Sequence, residues 1–370
     1  MSRTADQRNS PPFGNPFRLI FSRKSHISPK CLPLLNDFEL MLARSLRNLK
    51  PKDSCEILSL SWMKHAVESL AEIHTNIKGL ITDLQFPLTD WDYRWMDVYL
   101  NDSIKLLDIC IALSSELSQL DQGQLLLRYI LHLLDPARDF ASELLERAGA
   151  SLHELILKFE VRNPNLEHCH NILQNLAETP YYIGKAKSSA NENVLMRALY
   201  GVKVQTIFVC NIIIAALMGF SNPLIQFRVH ERFLWSEAFD ELCETVHAEI
   251  RNRLSGEKMI FFKEREDVEL CARRLHALMC SKEEKLSQKC NFFGSPEGGG
   301  GREEMMMSAR LDGDEERKRL QESVIGLAEG AEKLYDGLEI LSNRVDEFFR
   351  IVLTGRDALL ANLREADART

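Results

Sequence analysis

Between Lys203 and Arg228 the chain runs for 24 residues without a charged side chain. The densest part, VQTIFVCNIIIAALMGF at 204–220, has only Gln205, Thr206 and Asn211 as clearly polar residues. Spanning hydrocarbon takes about 20 apolar residues, with about 17 as the lower limit, so this segment stands at that limit. A helix apolar on every face must be covered, by lipid or by other helices. Val204, Ile207, Phe208, Val209, Ile212, Ile213, Ile214, Leu217 and Phe220 are therefore membrane-segment candidates. The same residues serve equally as the centre of a soluble bundle, and both readings stand. Asn211 needs a hydrogen-bond partner in either setting, because an unpaired amide in core or hydrocarbon is costly. Arg197 and Lys203 before the run, and Arg228 and Arg232 after it, give no clear topology.

The rest of the chain supplies helices that could do the covering. Leu320, Val324, Leu327, Ala331, Leu334, Leu338, Leu341, Val345, Phe348 and Val352 alternate steps of four and three without a miss. That is a heptad seam, suited to packing within a bundle or to a self-associating coil. Gly326, Gly330 and Gly337 each weaken such a helix by roughly 1 kcal/mol relative to Ala, so tertiary contacts must hold it. Leu58, Trp62, Ala66, Leu70, Ile73, Ile77, Leu80 and Leu84 form a second stripe, with Asp53 as its expected N-cap and Glu56 three residues on. A helix from about 90 to 134, breaking near Gly123, carries Trp91, Trp95 and Tyr99. Further helices are expected at 137–160, 164–178, 234–254 and 261–288, with Pro136, Pro164, Pro180 and Pro223 as punctuation.

No segment shows β-alternation. The expected fold is all-α: an elongated multi-helix bundle with long antiparallel helices and no β-sheet. Four regions follow: a basic N-terminal segment at 1–30, a helical bundle at 31–289, a Gly/Met-rich flexible linker at 290–313, and a C-terminal helix at 314–365 that packs on the bundle.

Hydrophobic residues at 45% and charged residues at 27% describe a folded chain. The net charge of −8 offers no basic field for phosphates, so no nucleic acid partner is expected. Residues 1–30 nonetheless carry six Lys and Arg against Asp6. This acid-poor, Ser-containing stretch reads as a disordered tail, a plastid transit peptide, or a docking segment through PPFGNPFRLIF. A secretory signal would show a compact apolar core followed by small residues, and none opens the chain. Nine scattered cysteines without a CxxC read as reduced thiols packed like small hydrophobes, in a reducing compartment.

Candidate chemistry is sparse. His168 and His170 lie two apart and point to different helix faces, so they do not share an ion. His65 and His74 have no HExxH around them. Asp90, Asp92, Asp97 and Asp102 complement the positive end of one helix. The glycines at 298–301 have no strand or helix to aim their amides at a phosphate. Trp62, Trp91, Trp95 and Trp235 fall on helix faces that suit core packing. No catalytic, metal or cofactor-binding residue is assigned, and no cofactor is expected.

Five segments, FGNPFR at 13–18, LSWMK at 60–64, ITDLQFPLTDWDYRWMDVYL at 81–100, LMRALYGVKVQTIFVC at 195–210 and TGRDALLANLR at 354–364, resemble the plant BYPASS family. The likeness runs from about residue 12 to about 365, and 281–313 departs from it. It implies a helical, non-enzymatic regulatory protein of root and shoot development. Such a protein would restrain a root-derived, carotenoid-linked mobile signal that arrests shoot growth. It also implies membrane association or a plastid address in some members. Two alternatives stand beside this: an adaptor of membrane trafficking that binds an exocyst subunit, and a binder or enzyme of an apolar small molecule held in a bundle cavity. The expected partners are proteins, with membrane contact through 204–220. The expected location is intracellular and membrane-associated, with the plastid or the soluble cytoplasm as alternatives.

Overall fold

Ser59, and not Asp53, starts the first of the long amphipathic helices. The computed structural model describes residues 19–21, 29–51, 56–84, 94–135, 142–161, 164–179, 181–183, 189–219, 224–225, 228–253, 260–292 and 302–367. Asp53 lies outside them. Among the described residues nine helices follow one another: α1 Leu32–Leu49, α2 Leu60–Asp83, α3 Arg94–Leu133, α4 Ser142–Glu160, α5 Pro164–Glu178, α6 Ala190–Met218, α7 Ser236–Arg253, α8 Lys263–Phe292 and α9 Arg302–Asp367.

The Ser59 hydroxyl accepts from the backbone N–H of Trp62 at 3.1 Å. Just before it Leu58 adopts φ 68°, a left-handed conformation that costs a residue with a Cβ about 1–2 kcal/mol. That kink prevents the helix from beginning earlier, as the spacing of Leu58 and Trp62 alone would allow. Tertiary contacts hold it in place. Leu58 is fully buried, and its carbonyl accepts from the Lys263 N–H at 3.0 Å. The Glu264 carboxylate accepts from the Leu60 N–H at 3.0 Å, so α8 supplies a cap to α2.

α9 is the spine, touching α2, α3 and α8, and every residue of its heptad seam is buried. The seam therefore closes within one chain. Its glycines let neighbours approach: a Cβ on Gly337 would stand 2.6 Å from Leu60 Cδ1 and 3.0 Å from Leu60 Cβ. Cross-helix contacts fix directions. Arg356 Nη1 donates to the Leu100 carbonyl at 2.7 Å and Ser114 Oγ donates to Asp346 Oδ1 at 3.2 Å, so α3 and α9 run antiparallel. Leu60 faces Gly337, Arg344 pairs with Glu68 at 2.9 Å and Lys78 reaches Thr354 at 3.1 Å, so α2 and α9 run parallel. Antiparallel pairing is thus not universal in this bundle.

α3 passes through Gly123 without a break, and at about 1.5 Å per residue its 40 residues span about 60 Å. The Gly/Met-rich stretch is narrower than composition predicts. α8 continues to Phe292 and α9 begins at Arg302, because Arg, Glu, Met, Ala and Leu are good helix formers. Residues 293–301 lie outside the described set.

The expected absence of any β-sheet is corrected by one short two-stranded ladder. Leu19–Phe21 (β1) pairs in parallel with Tyr181–Ile183 (β2) in a three-residue ladder, Leu19 opposite Tyr181. Three residues are too few to show a period of two. The ladder seats part of the PPFGNPFRLIF segment on protein, beside α6.

Candidate functional site

The apolar helix α6 lies at the centre, with α1, α2, α3 and α5 packed around it. Ser189 caps it, accepting from the Glu192 N–H at 3.1 Å, and Asn191 donates to the Leu84 carbonyl at 2.9 Å. Of the membrane-segment candidates, Val204, Ile207, Phe208, Val209, Ile212, Ile213, Ile214 and Leu217 are each at most 2% exposed; Phe220 lies outside the described residues. Their surroundings are protein side chains. On one flank an aromatic chain fills the space, with Tyr200 stacked on Phe233 at 5.2 Å and Phe208 edge-on to Phe239 at 5.4 Å. α6 is also the one helix among the described residues long and apolar enough to cross a membrane.

Polar side chains along the middle of α6 meet partners on α1 and α2. Gln205 Nε2 donates to Ser69 Oγ of α2 at 2.7 Å and to Ser45 Oγ of α1 at 3.2 Å, and the two serine oxygens are 2.6 Å apart. Thr206 Oγ1 donates to the Val202 carbonyl at 2.7 Å, which leaves its oxygen to accept from His74 Nε2–H at 3.1 Å. His74 is edge-on to Phe348 at 5.1 Å, so one imidazole links α2, α6 and α9. Burial, with Lys78 adding to it, pushes its pKa down to about 3, and the ring is neutral in the folded protein. Asn211 Oδ1 and Gln205 Oε1 have no partner among the described residues.

Of the charges beside the apolar run, Arg197 and Lys203 pair with acids on other helices, whereas Arg228 and Arg232 are exposed. Lys203 is buried, its Nζ 3.2 Å from Asp102 Oδ2 of α3; burial lowers its pKa and Asp102 opposes that shift. Asp102 lies past the first turn of α3, where Asp97 is the acid, and its partner is on another element. Arg197 grips Glu39 of α1, and Glu39 also accepts from the Leu234 N–H at 2.8 Å. At the other end Arg265 of α8 is buried and donates to the Leu217 carbonyl at 3.4 Å and to the Phe159 carbonyl, meeting the C-terminal ends of α6 and α4. Burial brings its pKa down to about 10. Sequence reading missed these clasps because each partner lies far away in the chain, 158 residues for Arg197 and Glu39. The available signal was the placement of Arg197 and Lys203 on a helix otherwise too apolar to need them.

The arrangement is built for holding helices together. Buried thiols are kept protonated, Cys210 pushed up to about 12 and Cys169 to about 11, and so are poor nucleophiles. His168 is exposed and His170 half-buried, with the buried Cys169 between them. Among the described residues no three His, Cys, Asp or Glu enclose a common ion. Trp62, Trp95 and Trp235 are buried in the core; Trp91, Asp90 and Asp92 lie outside the described set. On the surface, α2 and α9 frame an open groove of about 320 Å³ floored by Ala71 and Ile351 and edged by Glu68, Glu72 and Glu347. Arg344 bridges two of these acids, at 2.9 Å to Glu68 and 2.6 Å to Glu347.

Comparison with known proteins adds a lineage. A family model described as Protein ROH1-like matches residues 22–172. UPF0496 protein 4 of Oryza sativa subsp. japonica is 42% identical, over 96% of this chain and 95% of its own length. Protein BPS1, chloroplastic, of Arabidopsis thaliana is 39% identical, over 97% of this chain and 92% of its own. No solved structure matches.

Proposed function

The chain belongs to the plant BYPASS family, and from that membership we propose that it is a non-enzymatic regulatory protein acting through its surfaces. In the plant it restrains a root-derived mobile signal that arrests shoot growth. The observation that carries this reading is the identity with BPS1 across nearly the whole of both chains. The fold supports the manner of action. Its most apolar helix is enclosed by other helices, and its buried polar groups are arranged to clasp elements together. In this reading α6 is a central strut and not an anchor. Grafting tests the role directly. Roots lacking the protein are expected to arrest a wild-type shoot, and normal growth of that shoot overturns the proposal. Affinity purification from root tissue is expected to recover a specific protein partner.

A second reading concerns place. The basic segment at 1–30 and the word chloroplastic in the name of the Arabidopsis relative favour a plastid address. A C-terminal fluorescent fusion is expected in plastids and, with residues 1–30 removed, in the cytosol. Cytosolic fluorescence from the full chain contradicts it.

A further inference from the structure

α5 ends at an exposed hydroxyl that stands just before the seat of β1. Thr179 follows Glu178, the last residue of α5, and precedes Tyr181–Ile183, the strand on which Leu19–Phe21 lies. Its Oγ1 donates to the Asn175 carbonyl at 2.7 Å, and its N–H donates to the same oxygen at 3.2 Å. Those two bonds close the last turn of the helix. Leu173, Leu176 and Ala177 of α5 are buried in the core, while Thr179 is exposed. The next residue in the chain is Pro180, and proline disfavours helical backbone at the residue before it, which stops α5 here. Thr179 belongs to one of four Ser/Thr-Pro pairs in the chain; the others, at Ser10, Ser28 and Ser295, lie outside the described residues.

We propose that Thr179 is a phosphorylation site for a proline-directed protein kinase, and that the phosphate loosens the ladder between β1 and β2. In the transfer, Thr179 Oγ1 attacks the γ-phosphorus of ATP. The new oxygen–phosphorus bond forms as the bond to the bridging oxygen breaks, ADP leaves with that electron pair, and the hydroxyl proton passes to the catalytic aspartate of the kinase. The ester oxygen then has no hydrogen to donate to the Asn175 carbonyl. The phosphate brings about −1.5 to −2 charges at pH 7. It stands at the negative end of the α5 dipole and next to Glu178, and both repel it. The last turn of α5 opens, and with it the run into β2. A ladder of three residue pairs resists weakly, because two short strands are marginal by themselves. The core is spared, since α5 stays anchored by Leu166, Cys169 and Leu173. Phosphorylation thus decides whether the basic N-terminal segment stays tied to the bundle at Leu19–Phe21 or is released.

The test uses the full chain carrying Ser10→Ala, Ser28→Ala and Ser295→Ala, treated with ATP and a mitogen-activated protein kinase and read by mass spectrometry. One phosphate is expected, on Thr179. It is expected to vanish in Thr179→Val and also in Pro180→Ala, which leaves the hydroxyl in place. Hydrogen exchange of the amides at 181–183 is expected to quicken by about fivefold or more on phosphorylation, with residues 204–217 of α6 unchanged. Absence of phosphate on Thr179 overturns the proposal. So does a phosphate that persists in Pro180→Ala, or exchange at 181–183 that phosphorylation leaves as it was.

Discussion

Arg197 of α6 meets Glu39 of α1 through two parallel hydrogen bonds, Nε to Oε1 at 2.5 Å and Nη2 to Oε2 at 3.1 Å. Glu39 is 1% exposed, so its charge depends on this partner and on the Leu234 N–H. The guanidinium also covers the Phe233 ring at 5.1 Å. Removing one partner of a buried pair strands the other charge. Arg197→Ala is therefore expected to destabilise the fold by about 3 kcal/mol, read from the urea midpoint. Replacing both at once, Arg197→Met with Glu39→Leu, is expected to cost far less than the single change.

His74 makes stability fall with acid. Its folded pKa of about 3 lies below the ordinary 6.5, so below pH 6.5 the unfolded chain takes up a proton that the native ring refuses. Stability is full above 6.5, declines as pH falls toward 3, and levels off below that. At 1.36 kcal/mol per pH unit, the loss by pH 5 is about 2 kcal/mol. His74→Gln removes this contribution, so the difference between variant and parent in urea midpoint is expected to shrink steadily from pH 7 to pH 4. A constant difference contradicts the burial of a neutral imidazole.

Two glycines in long helices are expected to respond oppositely to alanine. Gly123 of α3 has nothing within 4 Å of an added Cβ, so Gly123→Ala gains about 0.5–1 kcal/mol of helix preference. Gly337 of α9 faces Leu60, where a Cβ would sit at 2.6 Å from Cδ1. Gly337→Ala is expected to lose about 1–3 kcal/mol through overpacking, outweighing the same helix gain. Thermal unfolding of the two variants reads both signs.

Thiol labelling separates the cysteines by burial. Cys110, Cys169, Cys210 and Cys243 are buried with pKa values raised by desolvation, whereas Cys280 is exposed. Mass spectrometry after brief treatment with a maleimide is expected to find Cys280 modified and those four untouched until urea is added.

The helical class was legible because period carries it. Every seam residue from Leu320 to Val352 is buried, and the stripe from Leu58 to Leu84 is buried too. Helix starts were less legible. The left-handed Leu58 is imposed by contacts from α8, 200 or so residues away, and no local pattern announces such a contact. The environment of α6 was not legible at all. An apolar run looks the same whether lipid or protein surrounds it, and only the partners of Gln205, Thr206 and Lys203 reveal which elements pack there. The stacking of His153 on His276 depends on helix register and so was equally hidden.

α6 is covered by its own chain, and alkaline carbonate extraction of membranes from expressing cells checks that enclosure. The protein is expected to pass wholly into the supernatant, because residues 204–217 spend their apolar surface on α1, α2, α3 and α5. Retention of the chain in the membrane pellet, alongside a known spanning protein, contradicts the enclosure of α6.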